Sequence, residues 1–356
     1  MDPLFNPPAN LQDLQQPLTQ PNPLEIDRRN TQTPEQQLFF QDQGFHLVYD
    51  EMIEGVLKDH PGYPKRLLEL AATNTNYQVK KGGESYFFRL SSDLFKELYS
   101  SQEVEYSVLK QLENTHIAPR PYFFDPKRGI LITEYIEHDG ITVDLLDQNV
   151  QKTVCDMLKR IEKEHLGVDR VFHPYLETVA LVKKAATPLP KGFHEKALSA
   201  LEKISKKLAQ YPKKTLCHLD LHRKNILRKG DTLFFIDWEY AAMSHPYHIL
   251  ASMASIERWS DETMWQILGN YTEQPTQEDR HCMALYRIVS DLFWTTWCHL
   301  QMENPSTNSP YSKWRDLFFK SAMERIEKLE ADQGGAFYVN SLGTLFCLLF
   351  CYFPLF

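Results

Sequence analysis

The segment CHLDLHRKNIL, Cys217 to Leu227, and the TLFFID that follows it, Thr232 to Asp237, constrain this chain's fold more than any other feature. Two histidines, an aspartate, an arginine, a lysine and an asparagine sit between apolar residues that demand burial. A loop that polar stays inside a fold only when regular elements anchor both of its ends. TLFFID reads as a strand, and RKGD before it reads as a turn. The polar loop therefore leads into a hairpin whose second strand ends on Asp237. A lone Asp or His more often caps a turn or packs in a core. Three polar positions spaced around one strand ask for a shared role.

The rest of the chain supplies the frame. Its 356 residues, 42% of them hydrophobic, suffice for two core-forming lobes with length left over. Residues 1–36 form a Pro/Gln/Asn-rich arm without apolar periodicity, which is expected to be disordered. From Leu38 the spacing turns helical. Two β-rich runs then flank Lys80-Lys81-Gly82-Gly83, where the glycine pair predicts a hairpin turn. VEYSVLKQLEN is an amphipathic helix and RGILITEYI a buried strand. Residues 37–136 thus make a small lobe of strands and helix. Residues 137–335 read as mostly helical, apart from a β-rich patch at Asn225 to Asp237. The expected class is α+β, bilobal, with the layout of protein-kinase-like folds. The apolar tail, 336–356, contains the fifteen-residue run LGTLFCLLFCYFPLF. A membrane span needs about 20 such residues. The run reads as a buried terminal segment, a membrane- or partner-contacting tail, or an end made by a shifted reading frame.

Charge and cysteines narrow the class. A formal net charge of −8 argues against a general nucleic-acid binder. Six scattered cysteines lack metal-ligand spacing and read as reduced thiols of a cytoplasmic protein. The N-terminus has neither the basic nor the continuous apolar region of a secretory signal.

His218-Leu219-Asp220, Asn225 and Asp237 have the spacing that phosphoryl transfer requires. One aspartate receives the proton of the attacking hydroxyl, while an asparagine and a second aspartate hold Mg²⁺ against nucleotide phosphates. A phosphate-binding cation paired with a helical carboxylate completes such a site. Arg89 in YFFRL and Glu105 in VEYSVL occupy those places, and arginine's planar fork can grip a carboxylate and a phosphate together.

On these motifs the chain resembles the choline/ethanolamine kinase family, within the wider group that holds thiamine kinases and aminoglycoside phosphotransferases. The likeness covers about residues 65 to 300 and is carried by TNTNYQV, FFRL, IAPRPY, HLDLHRKNIL, FIDWEYA and SDLFWTTWCHLQ. It implies Asp220 as catalytic base, Asn225 and Asp237 as Mg²⁺ ligands, and Arg89 with Glu105 as the ATP-phosphate pair. Thr73, Asn74 and Asn76 would lie over the phosphates, with Glu134 to Ile136 as the adenine hinge. Trp294 and Trp297 share a helix face, where the family holds a quaternary ammonium between indoles. Tyr240 would be another wall and Asp291 a nearby countercharge. His222, by its position between the base and the metal ligand, is a candidate substrate contact. The implied partner is a small cationic alcohol.

The chain also departs from the family. Ala71 and Ala72 replace glycines of the phosphate loop, and a choline-facing carboxylate is missing, with Ser255 in its place and Glu257 two residues on. Thiamine or an aminoglycoside remains an alternative acceptor. A catalytically silent binding module is an alternative of another class.

Overall fold

Glycine chemistry places the first hairpin where the sequence predicts it. Strands β2 (Asn74–Lys81) and β3 (Glu84–Ser91) pair antiparallel from Asn74↔Ser91 to Lys81↔Glu84. Gly82 and Gly83, at φ 60° and 87°, make the two-residue turn. Side chains are strained in that left-handed region and glycine is not.

The computed structural model describes residues 43–70, 74–91, 101–303 and 310–350. The arm at 1–36 and Thr73 lie outside the described residues. The chain up to His60 is one unit, described by helix α1 (Gln43–Leu57), and the chain from Pro61 is another.

In the second unit β1 (Lys65–Leu70), β4 (Pro121–Asp125) and β5 (Ile130–Glu134) extend the hairpin to five strands in the order β1-β2-β3-β5-β4. β1 and β4 escaped the sequence reading. KRLLEL carries three charges in six residues and PYFFD opens on proline, so neither alternates cleanly. Helix α2 (Gln102–Leu112) starts where the Ser101 hydroxyl accepts the Val104 N–H, and it buries Glu105, Val108, Leu109 and Leu112.

The remainder is helical, as expected. It comprises α3 (Gln148–Lys163), α4 (Pro174–Val182), α5 (Leu198–Leu208), α6 (Pro246–Ile256), α7 (Asp261–Tyr271), α8 (Gln277–Met302) and α9 (Tyr311–Phe350). α8 opens with a capping box between Thr276 and Asp279 and is buried on nearly every side from Cys282 to Thr296. It is the central helix of the lobe.

Two small antiparallel pairs interrupt the helices. β6 (Thr215–Cys217) joins β9 (Ala242–Ser244), and β7 (Ile226–Lys229) joins β8 (Thr232–Phe235). The second pair is the predicted hairpin, with Gly230 at φ 58° in its turn. The first was not foreseen, because three-residue strands leave no periodicity to read. The class is α+β, with a β-sheet lobe followed by a helical one. The backbone of the apolar tail continues α9 to Phe350. Among the described residues no helix is long and apolar enough to cross a membrane.

Candidate active site

The polar loop is suspended between β6 and β7, and its first residue braces it. Buried His218 donates from Nε2 to the Ile236 carbonyl at 2.8 Å and accepts the Asp220 N–H on Nδ1 at 3.3 Å. That pattern needs a neutral ring, and burial pushes the imidazole down to about 4. The Trp238 ring lies 4.5 Å away. Leu219 and Asp237 both adopt left-handed backbone, at φ 63° and 67°. Such strain survives only where surrounding contacts hold it, and it gathers at functional sites. Asn225 donates to the Asp220 carbonyl at 2.9 Å and to its carboxylate at 3.2 Å, while the Asn225 carbonyl accepts the Ile236 N–H at 3.0 Å. The hairpin therefore delivers Asp220, Asn225 and Asp237 to one place.

Arg89 ties the sheet to that place. Its register on β3, opposite Asn76 and Leu131, sends Nη1 to Glu105 on α2 at 2.7 Å and Nη2 to Asp237 at 3.0 Å. Burial opposes the guanidinium charge, but Glu105, Asp237 and Glu239 outweigh it, so the proton is held above the usual arginine range. Burial also pushes Glu105 up to about 7 against the pull of Arg89. Asp220 is raised well above the carboxylate range by burial, with the charge of Asp237 adding to it.

Glu239, not singled out in the sequence, joins Glu105 and Asp237 in a group whose ligand atoms lie within 4.8 Å of one another. One Glu239 carboxylate oxygen is buried without a hydrogen-bond partner. Crowded carboxylates with an unsatisfied oxygen suit a hard divalent cation. The signal was legible in DWEY, where the acid two residues after Asp237 stands beside a strained turn.

A cleft of about 500 Å³ opens here, and Asn76, Arg89, Glu105, Glu134, Ile136, His222, Asn225 and Asp237 line it. These include most of the residues expected around the nucleotide. Asn74 is not among the lining residues: its side-chain amide oxygen Oδ1 accepts the Ser91 hydroxyl at 2.6 Å, which pins the end of the hairpin. His222 stands with Nε2 3.9 Å from the Asp220 carboxylate.

The aromatic residues also come together. Trp297 donates from Nε1 to the Tyr240 hydroxyl at 2.8 Å, Trp294 lies 5.7 Å from Tyr240, and the two indoles meet edge to face at 5.5 Å. Tyr311 and Trp314, at the start of α9, continue the series at 5.6 and 5.4 Å. Their spacing of three on a new helix was the signal that sequence reading passed over. A cavity of about 10 Å³, room for about one water, lies among Leu219, Tyr240, Ser252 and Trp294. The aromatic wall therefore adjoins the residue preceding Asp220.

One expectation about charge is corrected. Asp291 is no countercharge for this wall. It is fully buried, paired with Arg287 at 3.2 Å and hydrogen-bonded by Ser255 and Ser321. A carboxylate taken from water needs that neutralisation. The i,i+4 spacing from Arg287 was its sequence signal. Glu257, two residues after Ser255, is paired with Arg223.

Residues 66–286, more than half of the chain, match the model of the "Phosphotransferase enzyme family". Protein LicA of Haemophilus influenzae is 23% identical over 265 residues, which span 70% of this chain and 97% of that protein. Among solved structures, choline kinase LicA from Streptococcus pneumoniae superposes with TM-score 0.66 at 21% identity, over 79% of this chain and 99% of that one. A structure of LicA in complex with AMP gives TM-score 0.62 at 20% identity, over 78% and 98%. The bilobal protein-kinase-like fold is shared with them.

Proposed function

The chain belongs to the phosphotransferase enzyme family, and from that premise we propose that it is an ATP-dependent kinase acting on the hydroxyl of a small cationic alcohol, choline first among them. The observation that carries this reading is the juxtaposition of three parts. The polar cleft, the Asp220 loop and the aromatic wall adjoin one another in that order. A relative solved with AMP and another described as a choline kinase support the nucleotide and the acceptor respectively.

Asp220 accepts the hydroxyl proton as the oxygen attacks the γ-phosphorus and the bond to the bridging oxygen of ADP breaks. Burial and the neighbouring Asp237 charge raise its affinity for that proton. The Asn225 amide on its Oδ2 fixes the orientation of attack. Arg89, held by Glu105, presents a buried cation toward the phosphates. Asn225 and Asp237, with Glu239 behind them, would hold Mg²⁺, which when bound supplies positive charge to the triphosphate. Tyr240, Trp294 and Trp297 offer π faces to the ammonium, each contributing about 0.5 to 2 kcal/mol toward a desolvated cation.

A panel of choline, ethanolamine, thiamine and kanamycin with labelled ATP tests the proposal. Choline is expected to be phosphorylated best, and Asp220→Ala to abolish transfer while nucleotide binding survives. Choline inert beside an active thiamine reaction overturns the acceptor. Magnesium-dependent ATP binding with no transfer to any acceptor favours a silent binding module.

A further inference from the structure

Four residues separate Asp220 from Asn225, and the third of them, Arg223, is clamped. Glu257, which caps the C-terminus of α6, accepts the Arg223 backbone N–H on Oε1 at 2.8 Å and the guanidinium Nε on Oε2 at 2.6 Å, with Nη2 also on Oε2. Because the main-chain N–H is included, the carboxylate fixes the course of the loop as well as a side chain. On the other side of Asp220, the Ser252 hydroxyl of α6 donates to the Leu219 carbonyl at 2.6 Å. Leu219 is the left-handed residue whose conformation must be held from outside. Between them Ser255 bonds Asp291, so α6 is itself fastened to α8, the helix of Trp294 and Trp297.

We infer that Glu257 is a positioning residue for phosphoryl transfer: α6 grips the loop on both sides of Asp220, and Glu257 makes the grip on the Asn225 side. The inference rests on the kinase reading above. The guanidinium side of the clamp is half exposed, with the Arg223 side chain 50% accessible and that of Glu257 4%. The exposed guanidinium adds little to stability by itself, whereas the buried Glu257 carboxylate needs donors such as these. What the clamp supplies to the reaction is geometry, and misplacing reacting groups by about 1 Å can cost on the order of 100-fold in rate.

The test compares Glu257→Ala, Glu257→Gln and Arg223→Ala with the full-length wild type. Choline turnover at saturating ATP, the dissociation constant for magnesium AMP-PNP, and hydrogen exchange of the 218–227 amides are measured for each. Glu257→Ala is expected to lower kcat about 10- to 100-fold, hold nucleotide affinity within about twofold, and speed exchange in the loop. Glu257→Gln keeps an oxygen for the Arg223 N–H and should fall between. Arg223→Ala keeps that main-chain bond and should also lose less than Glu257→Ala. A kcat within about twofold of wild type for Glu257→Ala, or a rate loss matched by an equal loss of nucleotide binding, overturns the inference. Should Glu257→Ala fail to fold, the glutamine and Arg223→Ala variants decide on the same criteria. Asp220→Ala with undiminished turnover would sink the kinase reading itself. If wild type leaves choline untouched, only the acceptor fails, and unchanged loop exchange in Glu257→Ala would still overturn the clamp.

Discussion

Arg89 shows how much one side chain carries. Its two Nη groups bridge Glu105 and Asp237, which come from a helix and a distant loop. Lysine has the charge but only one ammonium on a flexible stem. Arg89→Lys is therefore expected to lower kcat/KM for ATP by about tenfold or more, measured by steady-state kinetics at fixed choline. Arg89→Met leaves Glu105 buried without its cation. Removing one partner of a buried pair costs about 3 kcal/mol or more, which urea unfolding at neutral pH will read. A variant of unchanged stability would mean that Glu105 is neutral already. The pair was visible in the sequence as Arg89 on a strand and Glu105 on a helix. That Asp237 shares the same guanidinium was not, because 148 residues separate them.

Helix α8 presents the aromatic wall proposed to hold the acceptor, and its period sets what each position can do. Trp294 packs inward at the small cavity, while Trp297 is half-buried and bonds Tyr240. Trp297→Phe removes the indole N–H and the larger face together. It is expected to raise the KM for choline about tenfold while leaving the KM for ATP within about twofold, since a cation over an aromatic face is worth about 0.5 to 2 kcal/mol. Equal changes in both constants would show that the wall serves the fold and not the acceptor. In the sheet lobe, Gly83→Val forces a branched side chain to φ 87°. Left-handed backbone costs such residues about 1–2 kcal/mol, and thermal unfolding should register that loss with no change in the acceptor KM.

Across the molecule, stability follows pH through buried imidazoles. Burial pushes His248 down to about 3 from an ordinary 6.5, with Phe172 and Tyr286 packed on its ring, and His245 down to about 4. The folded state refuses a proton that the unfolded chain binds below about 6.5. The stability this represents is complete above that pH and is lost as pH falls from about 6.5 toward 4. Between about pH 7 and about pH 5 each such imidazole should cost about 2 kcal/mol in urea unfolding. His248→Gln should shrink the decline by that amount, and an unchanged slope would refute the assignment. The glycine hairpin, the amphipathic helices and the Asp220-Asn225-Asp237 spacing were legible in the amino-acid order, because hydrophobic period, turn chemistry and short-range spacing are local properties. Asn74 bonded to Ser91, Asp291 neutralised by Arg287, and Glu257 clamped on Arg223 were settled by packing. Whether a polar group faces a cleft or a partner depends on which distant residue shares its burial. That is a property of the assembled core, where each buried charge must find its neutralising neighbour.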